Sequence, residues 1–270
     1  VFPLETVLDL VFQRGSTMHS LVPRDENGRS NYRMGALRPN QFGIDDAHVV
    51  EYVDSIAQAS GEFLQIVNFN LAGQQYAVAG TVAGLKALEE DAAKRAAEHG
   101  GKRPFMYVPG IDVPFHSTVL RSGVADFRTK LDERIPAEID PAKLVGRYIP
   151  NLVARPFELT REFAQSILDV VPSETVRELL ETEGAWDAAL ANPGVLTRTL
   201  LIELLCWQFA SPVRWIETQR VLLSTEEAAP GVAGLGVDQV IEVGLGAAPT
   251  LANLASRTLL APEFALSRVD

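Results

Sequence analysis

The sequence holds one cysteine in 270 residues, Cys206, so no intrachain disulfide can form. Cys206 lies inside the apolar run from Leu200 to Phe209 and reads as a small core residue; the scarcity of thiols suits a reducing, cytoplasmic setting. No apolar run approaches the ~20 residues of a membrane span, so no transmembrane segment is expected. There is no initiator Met and no basic, signal-like start. The chain opens with Val1-Phe2-Pro3, ends without a tail-like segment, and is expected to be a cut from a longer polypeptide. The four histidines, His19, His48, His99 and His116, show no i, i+4 pair and no Cys/His spacing of a zinc site, which argues against a metal centre. Positive charge is also short: 24 Lys and Arg against 35 Asp and Glu give a net charge of −11, which opposes general affinity for nucleic acid. Finally, no Gly-x-Ser-x-Gly occurs, so the serine elbow of many acyl-transfer enzymes is missing from this chain.

What is present describes a globular α/β chain, with 47% hydrophobic and 22% charged residues and enough length to bury a sizeable core. Leu4, Val7, Leu8, Val11 and Phe12 recur at helical spacing, predicting a buried helix that ends near Arg14-Gly15. A polar loop around Asp25-Glu-Asn-Gly28 follows. Then come a strand at Tyr32 to Leu37, a helix at Asp45 to Ala59, strands at Leu64 to Phe69 and Gln75 to Ala79, a helix at Thr81 to His99 and a strand at Phe105 to Val108. That β-α-β-β-α-β order predicts a ferredoxin-like small subdomain over residues 31–109, inserted in a larger α/β subdomain formed by 1–30 and 110–270. Beyond it the pattern is mainly helical: Thr118 to Ile135, Thr160 to Val170, Ser173 to Thr182, Leu196 to Phe209 and a helix opened by Pro212. Strands are expected at Tyr148 to Val153 and Val240 to Val243. The second precedes a Gly244-Leu-Gly246 turn, a weak anion-binding signal, and a last helix from Pro249 to Leu260.

Four short features stand out: Arg14-Gly-Ser-Thr-Met18, Asn68-Phe-Asn70 with Gln74-Gln75, Pro114-Phe-His-Ser117, and Pro212-Val-Arg-Trp215. With the longer runs Arg24 to Tyr32, Val67 to Gly80, Val113 to Thr118 and Gly146 to Leu152, they resemble the malonyl/palmitoyl transferase domain of fungal and mycobacterial type I fatty acid synthases, over nearly the whole chain. The resemblance implies an acyltransferase fold, made of a partial α/β-hydrolase-like large subdomain and the ferredoxin-like insert. It also implies a ping-pong reaction in which malonyl passes from coenzyme A to acyl carrier protein, and acyl product returns to coenzyme A.

On that resemblance His116 is the general base, and Arg14 pairs with the free carboxylate of malonyl. Asn68, Asn70, Gln75 and Phe115 line the substrate channel, and the backbone of Val213 and Arg214 orients the histidine. The nucleophilic serine would fall outside this chain, ahead of Val1, and the chain alone would be inactive. Ser117 is no substitute, being adjacent to His116 on a segment read as extended, where neighbours face opposite sides. Malonyl-CoA, CoA and a phosphopantetheinyl carrier protein would be substrates, with no resident cofactor; the partners would be the rest of the synthase and the carrier protein, with neither nucleic acid nor membrane. The alternative is a non-catalytic docking piece of a multifunctional synthase, for which Arg29, Arg33 and Arg38 would supply a basic patch.

Overall fold

The computed structural model describes residues 1–244, 249–261 and 264. Helix α1 (Leu4–Ser20) leads through a loop into β1 (Tyr32–Leu37), α2 (Val49–Ser60), β2 (Leu64–Leu71), β3 (Gln75–Thr81), α3 (Val82–His99) and β4 (Phe105–Tyr107). The sheet order β4-β1-β3-β2 is antiparallel throughout, with β1 and β3 in register from Tyr32 opposite Thr81 to Leu37 opposite Tyr76. This is the ferredoxin-like arrangement that the sequence order predicts. The helices start and stop on local chemistry: the Thr81 hydroxyl caps the Gly84 amide, and α2 and α3 both end on left-handed glycines, Gly61 and Gly100. One sheet face packs on α2 and α3 through Leu37, Val53, Tyr76, Val78, Leu85 and Leu88, all fully buried. The other face presents Met34, Val67 and Ala79 toward Val108, Ile111 and Phe115.

A second core is built almost entirely from helices: α4 (Val124–Arg134), α5 (Arg161–Leu168), α6 (Glu174–Glu181), α7 (Ala185–Leu190) and α8 (Pro193–Gln208). Asn192 caps α8 and Pro193 occupies its first turn; the helix is then apolar on nearly every side and runs through the centre of the cluster. Each fully buried Leu or Phe here contributes about 1.5–3 kcal/mol. One charge is buried with them. Glu203 of α8, 1% exposed, takes a two-pronged contact from Arg128 of α4 (2.6 and 2.8 Å) and hydrogen bonds from Ser173 and Trp207. Its lone pairs are therefore well used, which is the condition for a buried ion pair to be tolerated.

After α8, β5 (Val213–Arg214) joins the sheet as a fifth strand, parallel to β2, before α9 (Trp215–Leu223). The hairpin β6 (Glu227–Ala229) and β7 (Val232–Ala233) and helix α10 (Leu251–Thr258) complete the described elements. The two halves meet where Gln65 of β2 accepts hydrogen bonds from the amide and hydroxyl of Thr118.

Several expectations are corrected. Helix α1 runs six residues past Arg14, and it is not buried: Leu4, Leu8, Val11 and Phe12 are each at least 60% exposed, while Leu10, Thr17 and Met18 face inward. Residues 118–135 begin as a 3-10 turn, Thr118–Gly123, before α4. Tyr148 to Val153 is not a strand, because Pro150 breaks the ladder and its carbonyl accepts the amides of Val153 and Ala154 in a turn. Val240 to Val243 is not a buried strand either: Val243 is 95% exposed, and β5 already occupies the sheet edge beside β2. The Glu242 carboxylate instead accepts the Thr250 and Ala252 amides at the start of α10, which holds it below the usual carboxylate range. Leu245 and Gly246 of the expected anion-binding turn lie outside the described residues. Among those residues no helix is long and apolar enough to cross a membrane, and no group of three or more His, Cys, Asp or Glu could hold a metal.

The buried pair makes a stability prediction. Arg128→Ala leaves the Glu203 carboxylate without its cation and should cost about 3–5 kcal/mol in urea unfolding. The double replacement Arg128→Met with Glu203→Met should recover much of that loss; a double variant as unstable as the single one would show that the pair itself, rather than a stranded charge, is what matters.

Candidate functional site

His116 sits at the end of an irregular loop after β4, in the left-handed backbone region with φ 62°. Such a conformation carries about 1–3 kcal/mol of strain and persists only when its surroundings fix it. Here they do. The His116 amide donates to the Phe209 carbonyl (2.9 Å), and the ring Nδ1 donates to the Gln208 carbonyl (2.9 Å). Both acceptors lie at the carboxyl end of α8, where the last carbonyls have no helical partner further along the chain. Next door, the buried Ser117 hydroxyl donates to the Pro114 carbonyl and closes the turn. Upstream, Arg24 grips Asp112 with both terminal nitrogens and also reaches the Gly28 carbonyl and His19, tying the His116 loop to the loop after α1.

A carbonyl can only accept, so Nδ1 carries the proton and Nε2 presents a lone pair. The imidazole is also held neutral. Its pKa is pushed down to about 4, first because burial strips water from the charged form; the Arg14 cation adds to this, and the Gln208 and Ser211 carbonyls oppose it. A neutral ring protonated on Nδ1 can accept a proton at Nε2.

Arg14 projects from the middle of α1 to the same place. Its Nη2 donates to the side-chain oxygen of Gln208 (3.1 Å), while its buried Nε has no partner. Burial lowers the Arg14 pKa, and among the described residues no carboxylate pairs with it. The site therefore joins a neutral imidazole, a half-buried cation with an open donor, and one residue that touches both.

The other expected site residues divide. Phe115 packs between the sheet face carrying Val67 and the helical core, beside His116. Asn68 pairs with Val213 across β2 and β5, and the Asn70 carbonyl accepts from Gln219. Gln75 is occupied away from His116: its side-chain oxygen and that of Gln74 receive Arg257 of α10. Val213 and Arg214, expected to orient the ring through their backbone, form β5; the carbonyls that act on the ring are those of Gln208, at 2.9 Å from Nδ1, and Ser211, two residues before Val213. Ser117 is unavailable as a nucleophile for a different reason from the one read in the sequence: the segment is a tight turn, not extended, and the hydroxyl is internally bonded. Of the basic residues, Arg29 is exposed, while Arg33 gives one nitrogen to the Ser30 and Tyr32 carbonyls. Gln208 leaves one signal in the sequence, an amide that directly follows the apolar run Leu204 to Trp207.

Fatty acid synthase 2 of Mycosarcoma maydis is 40% identical over 96% of the chain and 8% of its own length. The fatty acid synthase subunit beta of Schizosaccharomyces pombe is 35% identical over 69% of the chain and 11% of its length. The chain is homologous to a segment of the fungal fatty acid synthases. This synthase segment spans about a tenth of the length of the curated relatives it matches. No protein-family model matches it. Among solved structures, FabD of Acinetobacter baumannii matches with a TM-score of 0.58 and 20% identity over 95% of the chain and 59% of FabD. An acyl-carrier-protein S-malonyltransferase of Burkholderia pseudomallei matches with a TM-score of 0.55 and 24% identity over 93% of the chain and 58% of its own. The fold of the synthase segment is the acyltransferase fold of these enzymes.

The buried neutral histidine sets a pH dependence. Its folded pKa of about 4 lies below the ordinary 6.5, so between those values the unfolded chain binds more protons. The stabilisation is complete above pH 6.5 and is lost as pH falls toward 4, to a limit of about 3 kcal/mol. Urea midpoints measured from pH 7 to pH 4 should fall less steeply for His116→Asn than for the parent chain. Equal slopes would mean that the folded protein does not hold His116 neutral.

Proposed function

We propose that this chain carries the base and the substrate-binding cation of an acyltransferase of fatty acid synthesis, moving malonyl from coenzyme A to an acyl carrier protein and acyl product back to coenzyme A. The observation that carries the reading is the arrangement of His116 and Arg14 about Gln208, in a fold shared with malonyl transferases. The nucleophile is a serine hydroxyl contributed from outside the chain, since the sequence holds no Gly-x-Ser-x-Gly and Ser117 is tied up in its turn. The chain is then inactive alone, and its partners are the serine-bearing part of the synthase and the carrier protein.

In the first half-reaction the serine oxygen attacks the thioester carbonyl of malonyl-CoA and His116 Nε2 takes the hydroxyl proton. The C–S bond breaks, the proton passes to the departing thiolate, and an oxygen ester remains. In the second half-reaction the carrier protein's thiol gives its proton to His116 and attacks that ester; the ester C–O bond breaks, the proton passes to the serine oxygen, and the malonyl thioester leaves on the carrier protein. The imidazolium formed midway faces the carboxyl end of α8, where the helix dipole and the Gln208 carbonyl favour positive charge, so no carboxylate is needed behind the ring. Arg14, with a donor open and no carboxylate paired with it among the described residues, is suited to hold the malonyl carboxylate. Phe115 beside the base would line the acyl channel; Asn68 and Asn70, half-buried on β2, would line its far wall, whereas Gln75 belongs to the contact with α10.

The test is burst acylation by labelled malonyl-CoA, comparing the chain alone with the chain joined to the serine-bearing segment. The joined protein should take up one malonyl ester per site, slowed about a hundredfold or more by His116→Ala, and should lose its malonyl preference on Arg14→Ala. A joined protein that is never acylated, while the chain still binds carrier protein or synthase neighbours, would make this a docking piece.

A further inference from the structure

Gln208 serves the site twice, through separate atoms. Its carbonyl receives the His116 ring, and its side-chain oxygen receives Arg14 Nη2 at 3.1 Å. The first contact belongs to any residue at that position, because every residue has a carbonyl. The second needs this side chain. An amide oxygen orients the guanidinium but leaves its full charge uncompensated, and the buried Arg14 Nε remains without a partner. Arg14 and Gln208 line an apolar groove together with Leu10, Phe127, Leu131 and Leu205, which offer the guanidinium no other polar partner.

We infer that the Gln208 side chain determines the selectivity of the site for carboxylated over neutral acyl groups, by aiming Arg14 while keeping it electrically unpaired. This rests on the proposed role of Arg14 as the carboxylate clamp. Glutamate is nearly the same shape as glutamine and reaches the same guanidinium, but it supplies the counter-ion that the substrate would otherwise provide. Methionine keeps the length and removes the acceptor, so Arg14 stays charged and loses its aim. Gln208 is in this sense a positioning and specificity residue, distinct from the base whose ring its backbone holds.

The experiment uses the intact synthase carrying this segment, with malonyl-CoA and palmitoyl-CoA as competing donors. Gln208→Glu should lower the malonyl-to-palmitoyl ratio of kcat/KM by about tenfold or more, chiefly through a raised KM for malonyl-CoA. Gln208→Met should lower it by a smaller factor. On an Arg14→Ala background, Gln208→Glu should produce no further fall, because the group it acts through is gone. If Gln208→Glu and Gln208→Met slow both donors equally, or shift the pH profile while leaving the ratio intact, the side chain only supports the base and the inference is wrong. If Arg14→Ala itself leaves the ratio unchanged, the carboxylate clamp fails and this role fails with it. The first of these results would leave the proposed transferase standing; the second would not.

Discussion

The open end of α8 is the constraint on which the site depends. A helix leaves its last carbonyls unpaired, and here the Gln208 and Phe209 carbonyls are completed by the ring and the amide of His116, a residue held with φ 62°. One juxtaposition therefore satisfies a buried helix terminus, fixes a strained loop, selects the ring tautomer and places the negative end of a helix dipole behind the ring. The arrangement requires α8 to be immobile. Its largely apolar circumference, packed on α4, α6 and α7, and the Arg128–Glu203 lock in its middle provide that.

The sheet contributes in a different way. Its α2–α3 face is a large core of its own, whereas the opposite face presents a small cluster, Met34, Val67 and Ala79 with Ala77, toward the His116 loop. Phe115 fills the space between that face and the helical core, so the loop bearing His116 is wedged between two cores. Gln65 at one side and the Arg24–Asp112 pair at the other tie its ends. Helix α1 is the exception to this closed packing. It brings Arg14 to the site yet leaves Leu4, Leu8, Val11 and Phe12 in solvent, an apolar face of the sort that marks an interaction surface. In the matched FabD structure, about two-fifths of the chain has no counterpart here, and the proposed serine-bearing segment would have that face to pack against.

The order of elements in the ferredoxin-like half was legible because hydrophobic period, caps and glycine stops all agree there: Thr81 before α3, Gly100 after it, and alternating apolar residues in β1 to β3. His116 and Arg14 were legible through the family resemblance more than through local pattern. What was not legible came from competition that a local window does not show. Val240 to Val243 has strand-forming side chains but no free sheet edge to join, and Glu242 within it is drawn to the start of α10. Tyr148 to Val153 has the composition of a strand, and the proline inside it decides otherwise. The family resemblance points to a backbone carbonyl near Val213 and Arg214 as the partner of the histidine; the carbonyls that act on the ring belong to Gln208 and Ser211, a few residues earlier, and which carbonyl of a segment faces the ring leaves no mark on sequence. Only the Gln208 side chain, polar at the end of an apolar run, could have pointed there.

The most direct measurement is the state of the His116 ring itself, followed by 15N chemical shifts of labelled histidine in the intact protein between pH 4 and pH 8. The expected result is a neutral ring protonated on Nδ1 throughout the range above pH 5, with Nε2 showing the shift of an unprotonated nitrogen. A ring that titrates near 6.5, or one protonated on Nε2, would contradict the placement of a ready base at the end of α8, and with it the chemistry assigned to this site.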